Sequence, residues 1–108
     1  MSWWKSIFGA GSAEPELIVR MKPKRVRLFI KSYCPWCHKA EDWLEDHGID
    51  YETLDVISDN KAYEEMVTLS GQDLAPVIDI DGRILADFGP SDLARFWRKL
   101  ELEEEPAP

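Results

Sequence analysis

From Val26 to Ile30 the chain reads Val-Arg-Leu-Phe-Ile, a short β-branched and aromatic run closed by Lys31-Ser32. Such a run predicts a mostly buried central strand. The period then changes. Ala40, Trp43, Leu44 and His47 recur at helical spacing, Pro35 suits a first turn where its missing N–H is not needed, and Gly48 supplies a stop. Tyr51 to Val56 reads as a second strand, and strand-helix-strand order implies a parallel pair joined by a right-handed crossover. Ser58-Asp59-Asn60 can cap a second helix, on which Tyr63, Met66, Val67 and Ser70 share a face before Gly71 ends it. Past Pro76, Val77 to Ile80 and Ile84 to Phe88 flank Asp81-Gly82, a pair suited to a two-residue hairpin. Gly89-Pro90-Ser91 opens a last helix carrying Leu93, Phe96, Trp97 and Leu100. The order over residues 24 to 100 is β-α-β-α-β-β-α, an α/β domain with a mixed four-stranded sheet and helices on both faces.

The two ends break this pattern. Residues 1–22 hold Gly9, Gly11, Ser12 and Pro15 without sustained periodicity and read as a flexible leader. Within it Trp3, Trp4, Ile7 and Phe8 would fall on one side of a short helix and could dock on a partner, a membrane surface or the domain itself. Residues 102–108 read as an acidic, solvated tail, which leaves 23–101 as the folded domain.

Composition narrows the class. A chain of 108 residues with 44% hydrophobic positions suits one compact core. A formal net charge of -8 argues against a general binder of nucleic acid or anionic membranes, which needs cations to displace phosphate counterions. The basic residues Arg20, Lys22, Lys24, Arg25, Arg27 and Lys31 nevertheless gather ahead of the cysteines. No apolar run approaches the roughly 20 residues that span a bilayer, and the opening stretch is too interrupted for a secretory signal. A cytoplasmic monomer is the expectation.

The candidate chemistry lies in Cys34 and Cys37, the only cysteines. A disulfide scaffold would use more cysteines at wider spacing. A dithiol enzyme needs one thiol that ionises easily and a second that can reach it. Cys34 falls where strand gives way to helix, so the N–H groups and dipole of the helix start favour its thiolate. Cys37 is one turn later on the same side and reads as the resolving thiol. The competing reading is half of a metal site, but a tetrahedral metal needs two further ligands. His38 and His47 are the only histidines, and His38 would project away from its neighbours. No metal is expected. Lys31 either assists Cys34, pairs with a substrate carboxylate or is merely solvated. Tyr33 and Trp36 either form the apolar lip of a contact surface or pack across the helix start.

The stretch Phe29-Ile30-Lys31-Ser32-Tyr33-Cys34-Pro35-Trp36-Cys37-His38-Lys39-Ala40 resembles the active-site segment of dithiol glutaredoxins, and the likeness continues in Asp73-Leu74-Ala75-Pro76-Val77. The resemblance covers about three-quarters of the chain. It implies the thioredoxin fold, a cis Pro76 facing the cysteines, and an Ala75 backbone free to pair with an extended thiol peptide such as glutathione. It further implies thiol-disulfide exchange on disulfide-containing proteins or glutathionylated substrates, with glutathione as co-substrate and no tightly bound cofactor. Asp87 stands where the family usually has glycine, close to a glutathione carboxylate. Ser91 and Asp92 match an element that holds the glutathione amine, and both also suit a helix cap. The Ala-Pro-Val and Asp-Phe-Gly-Pro stretches resemble the glutaredoxin-like hydrogen donors of ribonucleotide reductase, which are recharged by thioredoxin reductase. Two other classes of function remain open from sequence: a dimer bridging an iron-sulfur cluster through Cys34 and glutathione, and a docking protein using the Trp3-Trp4 leader.

Overall fold

The computed structural model describes residues 19–104, so most of the leader, with Trp3, Trp4, Ile7 and Phe8, and the last four residues lie outside the described region. The elements run β1 (Val26–Ile30), α1 (Pro35–Asp46), β2 (Glu52–Asp55), α2 (Asn60–Ser70), β3 (Val77–Ile80), β4 (Arg83–Ala86) and α3 (Pro90–Glu104). They form one four-stranded sheet in the order β2-β1-β3-β4. β1 and β2 are parallel, and β3 runs antiparallel to both β1 and β4. This is the mixed sheet of the thioredoxin fold.

Alternation along β1 and β3 divides the interior in two. Val26, Leu28, Ile78 and Ile80 meet Ala40 and Leu44 of α1 and Leu93, Trp97 and Leu100 of α3. On the opposite face Phe29 and Val77 meet Ala62 and Met66 of α2. Trp97 has no exposed surface, so truncating it to alanine costs about 3–5 kcal/mol. The α2 face also holds charge. Arg27 donates to Asp79 at 2.6 Å and to Glu65 at 2.7 Å, while Asp79 accepts the Gly82 N–H at 2.7 Å. Arg27 and Asp79 are directly opposed in the β1/β3 ladder.

Local signals explain the boundaries. α1 ends where Gly48 takes a φ of 67°. There the Ile49 N–H reaches Leu44 O and the Gly48 N–H reaches Glu45 O, the paired bonds of a Schellman stop. Asp59 caps α2 by accepting from Lys61 and Ala62 N–H. Asp81-Gly82 forms the two-residue hairpin, both residues at positive φ, as a type I′ turn requires. The observed strands differ from the expected ones at their ends. β2 spans Glu52–Asp55 rather than Tyr51 to Val56, and β4 starts at Arg83 and stops at Ala86 rather than running from Ile84 to Phe88. The tight hairpin lets pairing begin directly after Gly82, and the positive φ of 50° at Asp87 turns the chain out of the ladder.

α3 continues to Glu104, and Glu101 near its end ties down the chain ahead of β1. One Glu101 oxygen accepts the Arg20 N–H at 2.6 Å, the Met21 N–H at 2.7 Å and the Trp97 indole N–H at 3.2 Å. Burial alone would raise this carboxyl, but the donors of Met21, Arg20 and Trp97 outweigh it and hold it below the usual carboxylate range.

Candidate active site

One end of the sheet gathers every segment singled out for chemistry. β1 and β2 finish there, while β3 begins there behind Pro76, β4 finishes there, and α3 starts there at Gly89. Cys34 is the N-cap of α1, with extended backbone angles and Pro35 behind it in the first turn. Its own N–H closes a turn onto Lys31 O at 2.9 Å, and its carbonyl accepts from Cys37 and His38 N–H. The Cys37 and His38 N–H groups are thus taken up by the Cys34 carbonyl, and the Cys34 side chain makes no cap bond of its own.

The two cysteines differ sharply. Cys34 is partly exposed, with Sγ 3.9 Å from the Ala75 carbonyl oxygen. Cys37 is 0% exposed. Burial pushes its thiol up to about 12; the Lys31 backbone opposes that, and Cys34 adds to it. Both sulfurs are free thiols.

Large apolar side chains are exposed at this end. Tyr33 is 72% exposed, Trp36 52% and Leu74 52%, and Ile57 is exposed at the adjoining end of β2. Four of the five large exposed hydrophobics among the described residues thus stand at this end, the kind of concentration that marks a contact surface. The Trp36 ring lies against Gly89, and Lys39 Nζ sits 4.3 Å from its centroid. Lys31 Nζ donates to Asp73 O at 3.1 Å and thereby braces the loop facing the cysteines. Both ring nitrogens of the exposed His38 have partners: Nε2 lies 2.8 Å from Ser32 O and Nδ1 3.2 Å from Glu41.

The bond between Ala75 and Pro76 is cis, and Pro76 is buried at the start of β3. Its carbonyl accepts the Asp87 N–H at 2.8 Å, which fixes Asp87 at the rim with its side chain exposed. Ser91 is exposed in the first turn of α3. Asp92 serves the cap: Oδ2 accepts the Gly89 N–H at 3.0 Å and Oδ1 accepts from Arg95 at 2.6 Å. The Gly89 N–H, with Arg95 nearby, holds the Asp92 carboxyl below its usual range.

Sequence reasoning passed over Gln72. Its side-chain oxygen accepts the Leu74 N–H at 2.6 Å, its amide donates to Leu74 O at 3.0 Å, and Ser70 Oγ bonds the same amide. A polar side chain beside Gly71 in a loop was the available signal, though nothing in the spacing says where it turns. Among the described residues, no helix is long and apolar enough to cross a membrane.

A profile described as glutaredoxin matches residues 26–85. An uncharacterised glutaredoxin-like 8.6 kDa protein from the rubredoxin operon of Clostridium pasteurianum is 35% identical over 74 residues, 68% of this chain and 99% of the relative. Glutaredoxin 3 of Escherichia coli strain K12 is 33% identical over 58 residues, 54% of this chain and 70% of the relative. Among solved structures, the glutaredoxin from Archaeoglobus fulgidus has a TM-score of 0.62 at 20% identity, covering 81% of this chain and 99% of that one. NrdH-redoxin from Escherichia coli, a glutaredoxin-like protein, has a TM-score of 0.57 at 24% identity, covering 78% and 99%. These two structural likenesses carry the fold. The sequence matches carry more, and by them the chain belongs to the glutaredoxin family of the thioredoxin superfamily, a family of thiol oxidoreductases.

Proposed function

We propose that the protein reduces disulfides by a dithiol mechanism in which Cys34 is the nucleophile and Cys37 the resolving thiol. The observation that carries this reading is the inequality of the two sulfurs. Cys34 opens onto the apolar rim, whereas Cys37 is fully buried and its thiol is pushed up to about 12. The first is placed to meet a substrate, and the second is held protonated in reserve.

In the first step the Cys34 thiolate attacks one sulfur of a substrate disulfide. A Cys34–substrate disulfide forms and the other substrate sulfur leaves as a thiolate that takes up a proton. In the second, Cys37 gives up its proton and attacks Cys34 Sγ. The Cys34–Cys37 disulfide forms and the remaining substrate sulfur departs as a thiol. Two electrons pass from the protein to the substrate. The Ala75 backbone, beside Cys34, offers an extended substrate a main-chain partner. The rim of Tyr33, Trp36 and Leu74 receives its apolar side chains.

The oxidised pair must then be reduced, either by glutathione or by a reductase that delivers electrons to dithiols. Asp87 favours the second. It places an exposed carboxylate at the rim, at a positive φ that the glycine usual in the family would adopt freely. Added bulk and negative charge there disfavour the glutathione carboxylate. Ser91 is left as a candidate contact for a substrate amine, while Asp92 is engaged in capping.

The test is reduction of insulin and of a cysteine–glutathione mixed disulfide, with glutathione plus its reductase or thioredoxin reductase as electron source. The expected result is turnover with thioredoxin reductase, abolished by Cys34→Ser, with Cys37→Ser accumulating the mixed disulfide. Undiminished turnover in Cys34→Ser would sink the mechanism. Efficient recharging by glutathione would sink the assignment of the reductant alone.

A further inference from the structure

Four glycines lie among the described residues, and three of them share one explanation. Gly48, Gly71 and Gly82 adopt positive φ, and a Cβ on any of them would meet nothing within 4 Å. Their backbone demands glycine and their surroundings do not. Gly89 is the reverse case. Its φ lies outside the left-handed region and so does not call for glycine, yet a Cβ there would lie 3.0 Å from Trp36 Cζ3 and 3.4 Å from Cε3. The next nearest atom is Asp92 Oδ2 at 3.9 Å, an ordinary contact.

Helix capping does not account for the glycine either. Gly89 precedes α3, where Gly is tolerated but Ser, Asp and Asn rank ahead of it, and the capping carboxylate is supplied by Asp92. What the missing side chain leaves room for is the Trp36 ring. Lys39 holds the same ring by a cation–π contact with Nζ 4.3 Å from its centroid. The indole is thus seated between elements that begin 55 positions apart, with 52% of its surface still open beside Cys34.

We infer that Gly89 is a positioning residue of the thiol site: its missing side chain seats the Trp36 indole as a fixed apolar wall for substrate beside Cys34. The inference rests on the proposed function. A wall set before binding costs a substrate less ordering than one that must find its place. Small disulfides that engage only the sulfur do not use it. Protein disulfides with neighbouring side chains do.

The experiment is single-turnover oxidation of pre-reduced protein by insulin and by bis(2-hydroxyethyl) disulfide, quenched in acid and followed by thiol counting. It needs no recycling reductant. Gly89→Ala is expected to raise the half-saturation concentration for insulin about fivefold, in keeping with the energy of one displaced aromatic contact. Its limiting rate, its thermal midpoint and its rate with the small disulfide stay at wild-type values. In a Trp36→Ala background, Gly89→Ala has no effect. An unchanged half-saturation concentration in Gly89→Ala overturns the inference. So does a change that persists without the indole, or a loss of thermal midpoint that accompanies it, since either makes Gly89 part of the helix start alone. Wild-type protein that oxidises with neither disulfide overturns the functional reading and this inference with it, whereas an active wild type with a silent Gly89→Ala overturns this inference only.

Discussion

Replacing Glu101 by Gln keeps the volume and a carbonyl oxygen but removes the charge that three donors converge on. Hydrogen bonds to a charged partner contribute about 1.5–3 kcal/mol, and neutral ones about 0.5–1.5. The Arg20 N–H is exposed, so water competes for it, while the Met21 N–H and the Trp97 indole are part-buried. Counting about 1 kcal/mol for each of the last two bonds gives a loss of about 2 kcal/mol near pH 7. The pH dependence follows from the depressed carboxyl of Glu101. Folded Glu101 holds its proton less tightly than unfolded Glu101, so its stabilisation is complete above the ordinary glutamate value of about 4.3 and is lost as pH falls through the lower folded value. Urea unfolding of both proteins, followed by tryptophan fluorescence from about pH 3 to about pH 8, reads this directly. The two stability curves should run parallel at neutral pH and converge below about pH 4. A gap under about 0.5 kcal/mol at pH 7, within the range of indifferent surface changes, would refute the reasoning. So would a gap that stays constant to the lowest pH.

Three further outcomes follow from other contacts. Asp87→Val should cost about 1–2 kcal/mol in urea unfolding, because a β-branched residue resists positive φ, while Asp87→Gly should stay within about 0.5 kcal/mol of wild type. Iodoacetamide at pH 7 should label Cys34 and leave Cys37 untouched until the protein is denatured, as peptide mass spectrometry will show; equal labelling in the native state would contradict a buried thiol pushed up to about 12. Asp79→Ala should cost about 3 kcal/mol because it leaves Arg27 inside with only Glu65, and the double replacement Arg27→Met with Asp79→Leu should cost less than that single change. A double variant less stable than Asp79→Ala would show that the pair is favourable in its own right.

The order of elements was legible because each boundary had a local cause. Asp59 and Gly71 bracket α2, Gly48 stops α1 and Asp81-Gly82 turns the hairpin, and each acts on residues within one turn of itself. Cys34, Pro35 and Cys37 were legible for the same reason, since a strand end followed by a helix start fixes what the spacing means. What stayed hidden depends on partners far along the chain. Glu101 binds backbone 80 and 81 positions away, and Gly89 receives a ring from α1. Lys31 reaches the Asp73 carbonyl across three intervening elements, α1, β2 and α2. Periodicity records which face a residue occupies, and it is silent on which particular neighbour that face will meet. Asp92 shows the opposite limit. Its position suits both a cap and a substrate contact, and the bonds from the Gly89 N–H and Arg95 establish the cap without bearing on the contact.

The pairing of Arg27 with Asp79 has a consequence for the thiols on which neither residue bears directly. Slipping β3 along β1 by two residues would set Asp79 opposite Phe29 in one direction and Arg27 opposite Val77 in the other, so that a charge would replace an apolar partner on the α2 face. It would also part Arg27 from Asp79 in a setting where breaking a buried ion pair costs about 3–5 kcal/mol. The ion pair therefore acts as a key that fits one alignment of the two strands. Because Cys34 follows the end of β1 and Ala75-Pro76 precedes the start of β3, that alignment also decides which backbone stands opposite the nucleophile. The distance between sulfur and loop is thus indexed by two charges on the far face of the sheet, much as a dial is set by a pin behind its plate.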